Sequence, residues 1–140
     1  MIIDGTNLIL GRLASHAAKQ ALLGEKIVIL NCEKVVLTGP RTFVLSTMHE
    51  RADRGDPYKG PFFQRMPDRF VRRAIRGMLP YKQGRGKLAF ERIMCYLGVP
   101  ERYKNEKAIT IPDASASKLR TLHAMPLHTI ANAFGKKIIL

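Results

Sequence analysis

The stretch Ile27-Val28-Ile29-Leu30-Asn31-Cys32 decides the fold of this chain. It is apolar without alternation and rich in β-branched residues, a pattern typical of a strand buried on both faces. Before it, residues 11–23 are predicted to form a helix, because the leucines and alanines fall on one face and Gly24 is a natural stop. A short apolar stretch, residues 1–3, comes first. The order strand, helix, buried strand predicts a βαβ unit with a right-handed crossover.

The rest of the chain continues this alternation of helices and strands. A second helix is predicted at residues 41–52, with Phe43, Val44 and Met48 on its apolar side. Residues 53–67 are rich in glycine and proline and are predicted to form a long loop. The pattern predicts an α/β fold with a mostly parallel sheet, in a single domain covering residues 1–140. Further predicted elements are helices at 67–77 and up to 91 or 92, a strand at 93–97, an extended piece at 109–111 and a last helix at 126–135.

The charge of the chain is unusual for a protein with an ordinary hydrophobic fraction of 46%. Lys and Arg total 24, Asp and Glu total 11, and the formal net charge is +13. A compact state with this excess repels itself, so a polyanionic partner is expected, and the phosphates of RNA or DNA fit best. No apolar run has the length needed to span a bilayer, so no membrane partner is expected.

The cysteines and the N-terminus predict a cytoplasmic protein. Cys32 and Cys95 stand singly within apolar runs and are predicted to be buried reduced thiols. Residues 1–5 lack the basic flank and apolar stretch of a secretion signal.

Four arginines mark the third predicted helix. At about 100° per residue, Arg69, Arg72, Arg73 and Arg76 fall within an arc of about 100°, opposite the apolar residues. No acidic residue occurs between Arg69 and Phe90. A merely solvated basic face usually carries compensating Asp or Glu at helical spacing. The pattern therefore favours a phosphate partner, which arginine can bind through two parallel hydrogen bonds.

A basic, glycine-rich turn is predicted after this helix, at residues 82–87. Its glycines let the backbone approach a phosphate closely, although a flexible turn without a ligand is the alternative. The loop at 53–67 carries basic and aromatic side chains and is predicted to become ordered against the partner. The predicted RNA-binding residues are Arg69, Arg72, Arg73, Arg76, Lys82, Arg85, Gly86, Lys87, Arg65, Lys59 and Arg54, with Arg12 and Lys34 as weaker candidates.

Several motifs also resemble one protein family. Arg76-Gly77-Met78-Leu79-Pro80 followed by Gly84-Arg85-Gly86 resembles the signature of the L-thirteen family of large-subunit ribosomal proteins. Three further segments agree with that family in order, so the resemblance covers nearly the whole chain. They are Leu10-Gly11-Arg12-Leu13-Ala14-Ser15, Asn31-Cys32-Glu33-Lys34-Val35-Val36 and Tyr96-Leu97-Gly98-Val99-Pro100.

The resemblance implies both a fold and a role. The implied fold is a three-layer α/β/α arrangement with a mostly parallel four-stranded sheet. The implied role is that of a structural constituent of the large ribosomal subunit, which binds large-subunit rRNA, contacts neighbouring ribosomal proteins, is a monomer within the ribosome and supports subunit assembly. No cofactor is implied. Gly60-Pro61-Phe62 and Gly98-Val99-Pro100 resemble the archaeal and eukaryotic type, and Gly24-Glu25-Lys26 runs into Ile27 without the insertion of the bacterial pattern.

Two other functions remain open: a nucleotide- or RNA-modifying α/β enzyme, and a basic regulator of translation that binds messenger RNA. Against a nucleotide site, the spacing from Gly5 to Gly11 is one residue too long for a phosphate-binding loop, and Arg12-Leu13 replaces the Lys-Ser/Thr pair. Asp4 ends the first strand, where a turn cap is the better interpretation than a catalytic group. The chain is therefore not expected to be an enzyme.

The histidines do not predict a metal site. None forms a His-Glu-x-x-His pair, and none shares a helix with another at a metal-ligand spacing. They are predicted to lie at the surface or to face RNA. These residues are His16, His49, His123 and His128.

Overall fold

The computed structural model describes residues 1–135, so residues 136–140 of the predicted domain lie outside the described part. Short 3-10 turns link several of the helices and strands. In chain order the elements are β1 (Ile2–Asp4), α1 (Leu10–Leu23), β2 (Ile27–Leu30), β3 (Val36–Thr38), α2 (Arg41–Asp53), α3 (Pro67–Met78), α4 (Gly84–Glu91), β4 (Ile93–Cys95), β5 (Ala124–Pro126) and α5 (Leu127–Ala133).

The main sheet is parallel, with the strand order β1-β2-β4. Ile3 lies opposite Ile29, and Ile29 lies opposite Cys95. At the outer edge of β1, Ile109 forms a single parallel bridge to Ile3, and its N–H donates to the Ile2 carbonyl at 2.8 Å. The predicted α/β class with a mostly parallel sheet is confirmed. Among the described residues the sheet has three strands, and at the place of the expected fourth strand it has this single bridge at Ile109.

The sequence patterns do not predict the second sheet. β3 and β5 pair antiparallel, with Leu37 opposite Met125. Each of these strands has only three residues, so neither shows the alternation that identifies a half-buried strand. Because Pro126 belongs to β5, the last helix begins at Leu127, one residue later than predicted.

The core lies between the parallel sheet and the helices α1 and α3. Leu13 on α1, Ile29 on β2, and Val71 and Ile75 on α3 have no exposed surface. Burying a side chain of this kind contributes about 1.5–3 kcal/mol relative to leaving it in water. Within residues 1–135, no helix is long and apolar enough to cross a membrane.

The predicted apolar side of α2 is partly wrong. Val44 and Met48 are buried, but Phe43 is 67% exposed. At about 100° per residue, Val44 and Met48 lie about 40° apart around the helix, whereas Phe43 lies about 100° beyond Val44. Only the two buried residues can therefore face the core.

The predicted glycine-rich turn is also wrong in its conformation. Residues 84–87 form the first turn of α4, which begins at Gly84. Gly86 is buried, and a Cβ atom at this position would overlap the Pro80 carbonyl group. The glycine is needed here because α4 packs directly against the backbone at the end of the preceding segment.

Candidate nucleic-acid interface

Helix α3 separates its apolar and cationic sides as predicted. It begins with Pro67, whose missing N–H costs nothing at a helix start, and its Val71 and Ile75 side chains are buried in the core. Its other side carries the four predicted arginines, which we call the guanidinium face. Arg69 and Arg73 are exposed, and Arg72 and Arg76 are half-buried.

Aromatic rings hold the two half-buried guanidiniums. The Arg72 guanidinium carbon lies 4.6 Å from the centroid of the Phe90 ring. The Arg76 guanidinium carbon lies 3.9 Å from the centroid of the Tyr81 ring. The two rings meet edge to face, with centroids 5.6 Å apart. Cation–π contacts of this kind fix the cations while leaving N–H groups free for a phosphate. We call this arrangement the arginine–aromatic ladder.

The guanidinium face has no ion-pair partner in the described part of the chain. The ion pairs found among residues 1–135 join Lys104 to Glu101 at 3.8 Å and Lys118 to Asp113 at 2.7 Å. The Nε atom of Arg72 is buried and has no hydrogen-bond partner. An unsatisfied buried donor of this kind is costly to the folded protein.

The side chains of the guanidinium face line one groove of about 330 Å³. All four arginines line it, along with Phe62, Gln64 and Phe90. Two further grooves share Arg73 and extend the cationic surface. One includes Arg51 and Arg54, at the end of α2 and the start of the loop, and the other includes Arg76 and Lys82. The structure therefore joins Arg54 and Lys82 to the guanidinium face.

The loop between α2 and α3 contributes further cations. Arg54 and Arg65 line one groove at its base. Lys59 is exposed at the tip, where Asp56 and Gly60 exchange backbone hydrogen bonds of 3.2 and 2.8 Å. The predicted loop is confirmed, at residues 54–66 between α2 and α3, and Arg54 shares a groove with Arg73 of the guanidinium face.

Other predicted residues do not line the groove of the guanidinium face. Arg85 lines a separate groove with Lys19 and Met78, between α1 and the ends of α3 and α4. Lys87 is exposed on α4, and Lys34 is exposed in the turn after β2. Gly86 is buried against Pro80, so its role is to let α4 pack closely there.

Arg12 is engaged within the protein. Its Nη1 atom donates to the Asp113 carbonyl oxygen at 3.0 Å, although the side chain lies at the surface. The Lys118 ammonium, 2.7 Å from the Asp113 carboxylate, lowers the pKa of that carboxyl group. Arg12 thus joins the start of α1 to the turn at residues 112–114.

The sequence patterns miss Tyr81 and Phe90, which hold the arginines, and Gln64, which lines their groove. The spacing of residues within α3 carries no signal for rings contributed by another segment. Aromatic residues close to a basic helix in sequence are the only available hint.

The catalytic interpretation of Asp4 finds no support, because its carboxylate caps a turn. It accepts hydrogen bonds from the Thr6 hydroxyl at 2.8 Å, the Thr6 N–H at 3.1 Å and the Asn31 amide at 2.8 Å. Burial raises the pKa of Asp4, but the hydrogen bonds from Asn31 and Thr6 outweigh it and leave the pKa below 3.8.

The histidines are less uniformly exposed than predicted. His49 and His123 are exposed, but His16 and His128 are half-buried. The Nδ1 atom of His128 lies 3.3 Å from the Glu33 carbonyl oxygen, and the Nδ1 atom of His16 is buried without a partner. Among residues 1–135, no group of His, Cys, Asp and Glu side chains could hold a metal ion.

The cysteines follow the prediction only in part. Cys32 is buried, whereas Cys95 is half-buried at the end of β4, and neither is in a disulfide. The neighbouring Cys95 thiol, together with burial, raises the pKa of the Cys32 thiol. Cys32 therefore stays protonated at neutral pH.

Together, this fold and site define a class: basic α/β proteins that present a fixed cationic surface. Comparison with known proteins narrows the class to a family. Residues 1–102 match the family model for ribosomal protein L13. The chain belongs to the ribosomal protein L13 family.

Several archaeal proteins are similar to the chain over most of its length. Large ribosomal subunit protein uL13 of Methanosarcina barkeri is 44% identical, over 97% of this chain and 98% of its own. The protein of the same name from Methanopyrus kandleri is 41% identical, over 96% of this chain and 86% of its own. That of Archaeoglobus fulgidus is 44% identical, over 84% of this chain and 76% of its own.

Proposed function

We propose that the chain is a structural component of the large ribosomal subunit, and that it binds large-subunit rRNA through the guanidinium face. The relatives are named as large ribosomal subunit proteins, which supports the assignment to that particle. As such a component it is not an enzyme, and it works in the cytoplasm in association with rRNA and other ribosomal proteins. We also propose that it is a single domain and a monomer within the ribosome.

One observation carries the assignment of the surface. Four guanidiniums line one groove, two of them are fixed on aromatic rings, and none has an acidic partner in the part of the chain that the structure describes. Holding like charges together without counter-charges costs free energy in the isolated protein. RNA phosphates would remove that cost, through contacts that position the protein rather than read base sequence.

Neighbouring grooves extend the cationic surface beyond α3. Arg54 and Arg65 extend it towards the loop, and Lys82 extends it towards α4. A protein that contacts several phosphate groups in this way recognises the shape of folded RNA. We propose that contact with several phosphate groups is how the chain supports subunit assembly.

The test reverses the charge of the guanidinium face. In the variant carrying Arg72→Glu, Arg73→Glu and Arg76→Glu, we expect binding to large-subunit rRNA to be abolished while the fold is retained. The matched control carries Arg102→Glu, Lys104→Glu and Lys107→Glu, which changes the net charge equally at exposed positions elsewhere. Filter binding measures affinity, and circular dichroism confirms the fold. Unchanged binding by the first variant, or equal loss by both, would refute the assignment of the surface.

Co-sedimentation separates the proposal from the two other functions. A stoichiometric component travels with the large subunit through a moderate-salt gradient. A regulator that binds messenger RNA, or an RNA-modifying enzyme, stays mostly at the top. Turnover of a nucleotide or RNA substrate by the purified protein would contradict the structural role.

A further inference from the structure

We propose that the groove beside Phe62 holds one unpaired nucleotide of the RNA, whose base stacks on the Phe62 ring and whose phosphate binds the guanidinium face. The inference rests on the proposed function and deepens it. It adds a base contact to a surface otherwise described by its phosphate contacts, and it places an unpaired nucleotide at a defined residue.

The Phe62 ring is exposed and lies with one edge close to Gly60. It is 68% exposed, at the C-terminal side of the loop tip. Gly60 has a φ of +84°, and a Cβ atom there would lie 3.2 Å from both Cδ2 and Cε2 of the Phe62 ring. One edge of the ring therefore rests against the Gly60 backbone. A ring with a neighbour on one side loses less conformational entropy on stacking than a ring surrounded by water.

The adjacent phenylalanine behaves differently. The Phe63 ring is partly buried against the core and lies 6.2 Å from the Phe70 ring and 5.4 Å from the Phe134 ring, between centroids. The chain thus uses Phe63 for its own packing and leaves Phe62 at the surface. A ring that is 68% exposed keeps most of its apolar surface in water, so that surface is available to a partner.

The groove beside Phe62 has the chemistry of a nucleotide site. Phe62 offers an apolar ring, Gln64 offers an amide that both donates and accepts hydrogen bonds, and the four arginines offer donors for a phosphate. Its volume of about 330 Å³ lies at the lower end of the range for small-ligand sites, about 300–1,000 Å³. Bases splayed out from RNA loops and bulges stack on aromatic side chains in this way.

Charge favours RNA over a protein as the occupant. The residues that line the groove include four cations and no carboxylate. An apolar protein partner would have to bury those cations without neutralising them, which is costly. A nucleotide supplies both a base that can stack on Phe62 and a phosphate that can bind the arginines.

The experiment compares two phenylalanines of nearly equal exposure. Phe62→Leu removes the ring beside the guanidinium face, and Phe43→Leu removes a ring that is 67% exposed on α2. We expect Phe62→Leu to weaken binding to purified large-subunit rRNA on the order of tenfold, with an unchanged dependence on salt, because stacking displaces no counterions. Phe43→Leu is expected to bind like the wild type. Phe62→Trp, which keeps a stacking surface, is expected to restore the affinity.

A second measurement identifies the contact directly. Ultraviolet irradiation of the complex, followed by mass spectrometry, is expected to yield a nucleotide adduct on Phe62. Wild-type binding by Phe62→Leu would overturn the stacking site and leave the proposed function standing. If Phe62→Leu binds rRNA normally but fails to enter the large subunit, the ring contacts a neighbouring protein and the stacking site is likewise overturned. If the wild-type protein binds no rRNA, the proposed function itself fails.

Discussion

The Arg72 guanidinium lies over the Phe90 ring, 4.6 Å from its centroid, and so links the third helix to the fourth. This contact belongs to the arginine–aromatic ladder, in which Tyr81 meets Phe90 edge to face and carries Arg76. The arginine–aromatic ladder holds the Arg72 and Arg76 guanidiniums in defined positions on the surface. Fixed cations bind with a smaller entropic cost, because their side chains are already ordered before the partner arrives.

Removing the ring under Arg72 tests this effect. Phe90→Leu is expected to weaken rRNA binding severalfold, because Arg72 loses the contact that orders it, although no charge is removed. The slope of log affinity against log salt should stay the same. Phe90→Tyr keeps the ring and serves as the control. An unchanged affinity for Phe90→Leu, at retained stability, would show that the ladder does not prepare the site.

Salt dependence tests the number of phosphate contacts. If about six phosphates are neutralised, log affinity should fall with log salt concentration at a slope on the order of −4 to −5. Arg73→Gln, at an exposed position on the guanidinium face, should reduce the magnitude of that slope by roughly 1. A slope near zero in a filter-binding titration would mean that phosphate contacts do not dominate binding.

Two glycines in the first turn of α4 should respond oppositely to alanine. Gly86→Ala should lower the free energy of unfolding by about 1–3 kcal/mol, because its Cβ atom would overlap the Pro80 carbonyl. Gly84→Ala has open space around the new methyl group and should raise that free energy by about 0.5–1 kcal/mol. Urea denaturation measures both. Equal effects at the two positions would contradict the packing role of Gly86.

The Asp4 carboxylate should stabilise the fold in a pH-dependent way. Its pKa in the folded state is below the ordinary 3.8, so its contribution is present above that value and is lost as pH falls through the lowered pKa. Asp4→Ala should lower the free energy of unfolding by about 1–3 kcal/mol at neutral pH, since three hydrogen bonds are lost.

The control for Asp4 is Asp4→Asn, which keeps an acceptor but has no titrating group. Its stability should approach that of the wild type as the pH falls below 3.8 and through the lowered pKa of the folded state, because the wild-type carboxylate then becomes neutral. Denaturant unfolding at several pH values between 2 and 7 measures the difference. If the difference in the free energy of unfolding between the two proteins stays constant over that range, the turn cap at Asp4 does not depend on the charge of its carboxylate.

The sequence predicts the parts of the fold that rest on long periodic or continuous patterns. The alanine-rich face of α1, the apolar strand β2 and the two-sided α3 all appear where expected. Short strands that form only by pairing with a distant strand carry no such pattern and cannot be predicted from it. β3 and β5 have three residues each and are joined by contacts between distant parts of the chain.

The residues of the candidate site are likewise predictable only where a local sequence pattern places them. Helical periodicity alone places Arg69, Arg72, Arg73 and Arg76 on one face, as the structure has them. Their fixation by Tyr81 and Phe90 depends on how the following segment folds back, which no local pattern contains. For the same reason the glycine-rich segment is predicted as a turn, although its buried Gly86 is part of a helix packed on Pro80.

Crosslinking α3 to RNA in purified large subunits tests the account most directly. Mass spectrometry of the peptide–nucleotide adducts should find rRNA attached to residues 67–78 and to the loop before them. Adducts confined to the exposed segment at residues 101–107, with none on α3, would contradict the claim that the guanidinium face is where ribosomal phosphates bind.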